Sequence, residues 1–187
     1  VYFWQAYFDL PNDFDWNVVL EYKFGQIKDN RIKQFNFRMF HRIIASKDNL
    51  FKWKITSDNL CETCKTAETI SHFLLECKQV TTYWNIVSRL VYFIFKIEIN
   101  INERILLLGY DVGNENMKMV NLVFNFAQFV ISRNYIKKRN TERNVQMHAK
   151  YLLRELKTDL KCYLSCKSNR KKLNVKEIER LWEYLGV

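Results

Sequence analysis

Cys61, Cys64, His72 and Cys77 are the residues whose types and spacing can do chemistry. They read C-x2-C-x7-H-x4-C within NLCETCKTAETISHFLLECKQV. Three thiols and one imidazole at this spacing make a closed tetrahedral zinc site with no position left for water. Such an ion holds a chain in shape rather than activating a substrate. The strongest motif therefore argues against a metalloenzyme. The remaining thiols, Cys162 and Cys166, lie four apart on an expected helix. They read as core or half-buried thiols. The odd total of five Cys speaks against a disulfide framework.

The charge is concentrated. The net +10 lies wholly in residues 133–172, which hold 13 Lys or Arg against 3 acids; elsewhere the two signs cancel. A basic surface of this kind attracts polyanions, of which a phosphate backbone is the commonest. Arg133, Lys137, Lys138 and Arg139 close one expected helix. Lys150, Arg154, Lys157 and Lys161 stripe the next, and Arg170, Lys171 and Lys172 follow in a polar linker. A second basic stretch, 21–54, includes Lys23 and places Arg31, Arg38 and Arg42 at i, i+7 and i+11, one face of a helix. These residues are the candidate nucleic-acid contacts. Arg suits phosphate because its planar fork binds two oxygens at once.

The elements that must position these groups read as helices. The chain has 187 residues, 48% hydrophobic, with only 4 Gly and 1 Pro, so a packed interior with few tight turns is expected. The expected fold is mainly α: a helical bundle with an inserted CCHC zinc knuckle and little or no β. It divides into an N-terminal helical segment over 1–57, the knuckle over 58–78 and a basic helical domain over 79–187.

A turn at Pro11 and Asn12 precedes a short helix from Trp16 to Phe24. An Arg-faced helix over 30–45 follows, with Ile32, Phe35, Met39, Phe40 and Ile43 on its apolar side, and Asn49 to Trp53 adds one turn. Thr69 caps a short helix bearing Ile70, Phe73 and Leu74. His72 and Cys77 stand about 140° apart on an ideal helix, so it must stop or distort before Cys77 for both to reach one ion. Further helices are expected over 79–94, from Asn102 to Gly109, over 116–138 and over 142–165. A last one follows a capping box at Asn174 and Glu177. The segment KIEINI alternates and reads as a short strand. Trp53 and Trp84 could stack on bases, but their apolar spacing favours core packing. His41 and His148 read as surface or phosphate contacts.

The stretch LFKWKITSDNLCETCKTAETISHFLLECKQVTTYW, with the Arg-rich FNFRMFHRIIASKDN ahead of it, resembles the zinc-binding segment after the reverse transcriptase domain of non-LTR (LINE-type) retrotransposons. The clear resemblance covers roughly 30–110. It implies a polyprotein that copies its own RNA onto nicked chromosomal DNA by target-primed reverse transcription, and whose C-terminal region grips nucleic acid. The polymerase domain of that family carries an adjacent Asp pair, and this chain has none. One branch places a nuclease marked by Pro-Asp after the knuckle, and the only Pro here is Pro11. The chain itself carries no evident catalytic site.

The expected role is that of a nucleic-acid-binding C-terminal region with a structural Zn2+, holding template RNA and/or primed target DNA. Its partners would be RNA, DNA and an upstream reverse transcriptase domain of the same polyprotein. No small-molecule substrate is evident. The alternative is a zinc-stabilised helical adaptor for protein partners. The chain begins at Val1, which reads as a fragment or a processed product. No signal segment opens it, and its longest apolar run, Leu90 to Phe95, falls short of the roughly 20 residues that span a bilayer. A soluble, intracellular place is expected, in the nucleus and/or a cytoplasmic ribonucleoprotein.

Overall fold

The computed structural model describes residues 2–25, 27–110, 115–141, 148–165 and 183. In chain order the helices are α1 (Tyr2–Tyr7), α2 (Trp16–Leu20), α3 (Asn30–Phe40), α4 (Lys47–Lys52), α5 (Lys78–Phe95), α6 (Glu103–Leu108), α7 (Glu115–Thr141) and α8 (Ala149–Ser165). Two single π-turns interrupt them, at Glu21–Gly25 and His72–Glu76. No helix among the described residues is long and apolar enough to cross a membrane. Arg170, Lys171, Lys172, Cys166 and the expected helix after Asn174 lie outside the described residues.

The caps follow from side chains near each start. Asp15, Asp29, Ser46 and Asn102 accept backbone N–H groups at the heads of α2, α3, α4 and α6, as N-cap oxygens do. Thr69 Oγ1 accepts from His72 N at 3.1 Å, the expected cap of the short turn inside the knuckle. The KIEINI segment forms no strand. The β structure among the described residues is one antiparallel bridge, Leu60 to Ala67.

α7 is the axis of the fold. Nearly every residue from Met119 to Tyr135 is buried, so the helix shows no exposed face over that span. A helix covered on all sides must find partners for its polar groups. Asn121 pairs with both backbone groups of Tyr110, accepting at 2.7 Å and donating at 3.0 Å. Asn125 donates to the Tyr22 carbonyl and Gln128 to that of Leu106. These amides tie the first π-turn and α6 to the axis. α5 and α8 pack on it with Val80, Tyr83, Val87, Leu90, Leu152, Leu156 and Leu160 buried.

Several expectations change. α3 ends at Phe40, not at 45. Arg42 takes a left-handed conformation (φ 57°), and its guanidinium sits over the Phe3 ring at 4.2 Å, with Trp4 and Tyr7 beside it. Arg42 is therefore off the Arg31–Arg38 face, and Ile43 is 47% exposed rather than buried. α1, not anticipated, supplies that aromatic seat, and Trp4 Nε1 donates to the Phe40 carbonyl at 2.8 Å. α8 begins at Ala149, since His148 is not helical. Cys162 is exposed. Trp84 is in the core and donates to the Leu74 carbonyl at 2.6 Å, but Trp53 is 47% exposed.

Lys23 does not belong to the basic surface. It is buried, and Nζ donates to the Leu106 carbonyl at 2.6 Å and to Asn125 Oδ1 at 3.1 Å. Burial pushes its pKa down to about 7.

Candidate metal centre

The knuckle is built from a turn and a helix start. The Cys61 N–H donates to the Thr66 carbonyl at 2.8 Å, and the Lys65 N–H donates back to the Cys61 carbonyl at 2.9 Å. Lys65, just after Cys64, takes a left-handed conformation (φ 60°), where the chain turns back and brings the Thr66 carbonyl to the Cys61 N–H. On the other side the Cys77 N–H donates to the His72 carbonyl at 2.8 Å, five residues back. This π closure is the required distortion. It brings residues five apart to one side, where an α-helix would splay them.

The four donor atoms lie within 4.8 Å of one another. Cys77 Sγ is 3.8 Å from both Cys61 Sγ and Cys64 Sγ. That distance excludes disulfides and matches the edge of a tetrahedron with zinc–sulfur bonds near 2.3 Å, about 3.8 Å. His72 Nε2 is buried and makes no hydrogen bond, while Nδ1 faces Thr66 Oγ1 at 3.5 Å and Glu76 Oε2 at 3.9 Å. A buried, unpartnered nitrogen on a ring whose other nitrogen is engaged is the arrangement a metal-ligating histidine takes. The donor set thus fits zinc, with Cys61, Cys64, Cys77 and His72 Nε2 holding it. Among the described residues, no other cluster of His, Cys, Asp or Glu could hold an ion.

The electrostatics differ between the two thiols. Burial pushes the Cys77 thiol up to about 12 despite the nearby Gln79 N–H. For Cys64 burial also pushes upward, but the Lys78 N–H and the two neighbouring thiols outweigh it and the net shift is down. Both amides belong to the first turn of α5, whose N-terminus carries partial positive charge. A dication bound here would replace the thiol protons and supply folding energy.

Three ties dock the knuckle on α7. Buried Glu68 accepts from the Tyr135 hydroxyl and, at 3.2 Å, from the Lys47 N–H. Lys138 Nζ lies 3.3 Å from Glu62 Oε2. Phe73 packs against the Tyr135 ring at 5.0 Å.

The predicted cations divide into two groups. Arg38, Lys150, Arg154 and Lys161 are exposed and Lys157 is half-buried. Arg31 is exposed but braced by Asp29, with Nη2 at 2.6 Å from Oδ2. Arg133 is turned inward, its Nε donating to Glu155 at 3.1 Å and Nη1 lying 3.0 Å from Asp159. Lys137 lies 3.4 Å from Glu155, and Arg139 donates to the Ala45 carbonyl at 2.6 Å. His41 and His148 are exposed.

Residues 4–84 match the family model described as zinc-binding in reverse transcriptase. The matched span holds all four donors and runs from Trp4 of α1 to Trp84 of α5. No curated protein and no solved structure matches the chain. Together the match and the donor cluster support a zinc-binding region of the reverse-transcriptase-associated type.

Proposed function

We propose that this chain is the nucleic-acid-binding C-terminal region of a non-LTR retrotransposon reverse transcriptase. In this reading zinc pins the knuckle to α7, and the helices around it hold template RNA or primed target DNA. The observation that carries the reading is the outer face of α8. At 100° per residue, Lys150, Arg154, Lys157 and Lys161 fall within about 60° of one another. Glu155 and Asp159 are turned to Arg133, on another side of the helix. Among the described residues, Lys150, Arg154 and Lys161 on this stripe are exposed, and both acids of α8 lie off it.

A polyanion bound there releases counterions, so affinity falls steeply with salt. The test is fluorescence anisotropy with labelled RNA and DNA across roughly 50 to 200 mM salt. Replacing Lys150, Arg154 and Lys161 with Ala should weaken binding and flatten the salt slope by about three, one for each phosphate no longer neutralised. Affinity insensitive to salt, or unchanged in the triple variant, overturns the reading.

One feature favours the adaptor alternative. Phe51, Trp53, Ile55 and Leu60 beside the knuckle are each 46–66% exposed. An apolar cluster of this kind is what a protein partner covers. An adaptor would retain RNA and DNA only weakly and without dependence on the α8 cations. Association with an upstream polymerase domain, and residence in a nuclear or cytoplasmic ribonucleoprotein, belong to the same proposal.

A further inference from the structure

Between α3 and α7 lies a groove of about 410 Å3, lined by residues of both helices and by Ile43, Ile44 and Ala45 after α3. That volume is within the range of ligand sites, about 300 to 1,000 Å3. Its apolar walls include Phe35, Phe129 and Ile136. Arg31, Arg38, Arg133 and Lys137 also line it, and among the described residues no carboxylate does. Two of these cations are held in place from behind. Asp29 grips Arg31, and Glu155 with Asp159 grips Arg133. Both guanidiniums also lie over the Phe129 ring, at 6.0 and 5.4 Å. Arg38, two turns along α3 from Arg31, is exposed and makes no ion pair among the described residues.

We infer that this groove seats an unpaired nucleotide of a single-stranded nucleic acid, its base against the apolar walls and its phosphates on Arg38 and Arg31. A base offers a flat apolar face beside a negative charge, and the groove offers the complement of both. Planar arginine forks match phosphate oxygens. Duplex DNA hides its bases from such a wall, and protein stacking sites accordingly select single strands. An acidic peptide shares the charge but lacks the flat ring.

The inference rests on the nucleic-acid reading but is separable from it. The α8 stripe lies on the opposite side of that helix from Glu155 and Asp159, so it faces away from the groove. Stripe contacts are phosphate contacts and are indifferent to strandedness. Groove contacts are not.

The experiment compares labelled oligouridylate with a blunt duplex of equal length, binding the full chain. The variants are Ile43→Ser, Arg38→Ala and the α8 triple variant. Ile43 and Arg38 are exposed, and the circular dichroism melts of their variants should match the parent. Ile43→Ser, which removes an apolar wall from the base, should lower single-strand affinity about fivefold and leave duplex affinity within about twofold. The α8 variant should lower both together. Photocrosslinking of a 4-thiouridine strand should map to peptides containing Phe35 or Phe129.

Equal losses for strand and duplex in Ile43→Ser, no loss in either groove variant, crosslinks confined to other segments, or equal competition by an acidic peptide each overturn the groove proposal alone. Absence of binding to both nucleic acids overturns the functional reading with it.

Discussion

The amide of Cys77 donates to the carbonyl of His72 across five residues, and this one bond lets two metal donors on a single helical segment face the same point. Without it, the spacing C-x7-H-x4-C would place the last thiol on the wrong side of the turn. Cys77 then opens α5, so the metal centre and the longest helix of the matched region share a residue.

Zinc removal should unfold the knuckle. The segment from 58 to 77 buries few apolar side chains of its own, so a bound ion would supply much of its folding energy. Cys64→Ser and His72→Ala should each sharply increase proteolysis between residues 55 and 78 and lower the melting temperature. Chelation of the parent protein should do the same, and re-addition of zinc should reverse it. Unchanged digestion patterns would refute the assignment.

Tyr135→Phe probes the docking of the knuckle on α7. The substitution keeps the ring against Phe73 and removes the hydroxyl from buried Glu68. Leaving a buried acceptor short of a donor costs about 1–3 kcal/mol. Urea denaturation should show a loss of that size, and no loss would mean Glu68 finds water instead.

The two tryptophans should respond oppositely. Trp84→Ala opens a cavity in the core and should cost about 3–5 kcal/mol. Trp53→Ala removes an exposed ring and should stay within about 0.5 kcal/mol. Thermal melts distinguish them, and comparable losses would contradict the packing.

Lys23 predicts a pH dependence with a definite sign. Its folded pKa is about 7 against an ordinary 10.5, because the amine is buried. Between those values the unfolded chain binds the extra proton, so stability rises as pH rises. Below about 7 both states are charged and the dependence vanishes. The stability difference between the parent protein and Lys23→Met should therefore shift in the parent's favour from pH 7 to 10. A flat difference across that interval would show that the amine is solvated.

Glu155 gives an acid-side counterpart. Burial alone would raise its pKa, but hydrogen bonds from Asn134, Arg133 and Tyr151 outweigh it and hold it at about 2. Its folded pKa is depressed, so its contribution is full above the ordinary 4.5 and is lost as pH falls toward 2. Glu155→Gln should remove that part of the acid sensitivity, read as a flatter stability curve between those values.

How much is legible in the sequence follows from which partners are local. The donor spacing announces the metal centre and even requires the distortion at Cys77. Caps such as Thr69 and Asn102 act within three residues and are readable for that reason. The end of α3 is not, because apolar periodicity runs on to Ile43. What stops the helix is distant. Asn49 takes the Arg42 and Ile44 carbonyls, and the aromatics of α1 take the Arg42 guanidinium.

α7 misleads in the same way. One apolar stripe is visible, but Asn121, Asn125 and Gln128 resemble a solvent face, because the backbone groups they satisfy belong to distant segments. Lys23 reads as surface because nothing nearby in sequence says that α6 and α7 close over it.

The most direct test measures metal content and thiol reactivity on the same folded sample. The account predicts one zinc per chain, with Cys61, Cys64 and Cys77 protected from iodoacetamide while exposed Cys162 is alkylated. A metal-free, folded protein in which these four thiols react alike would contradict it.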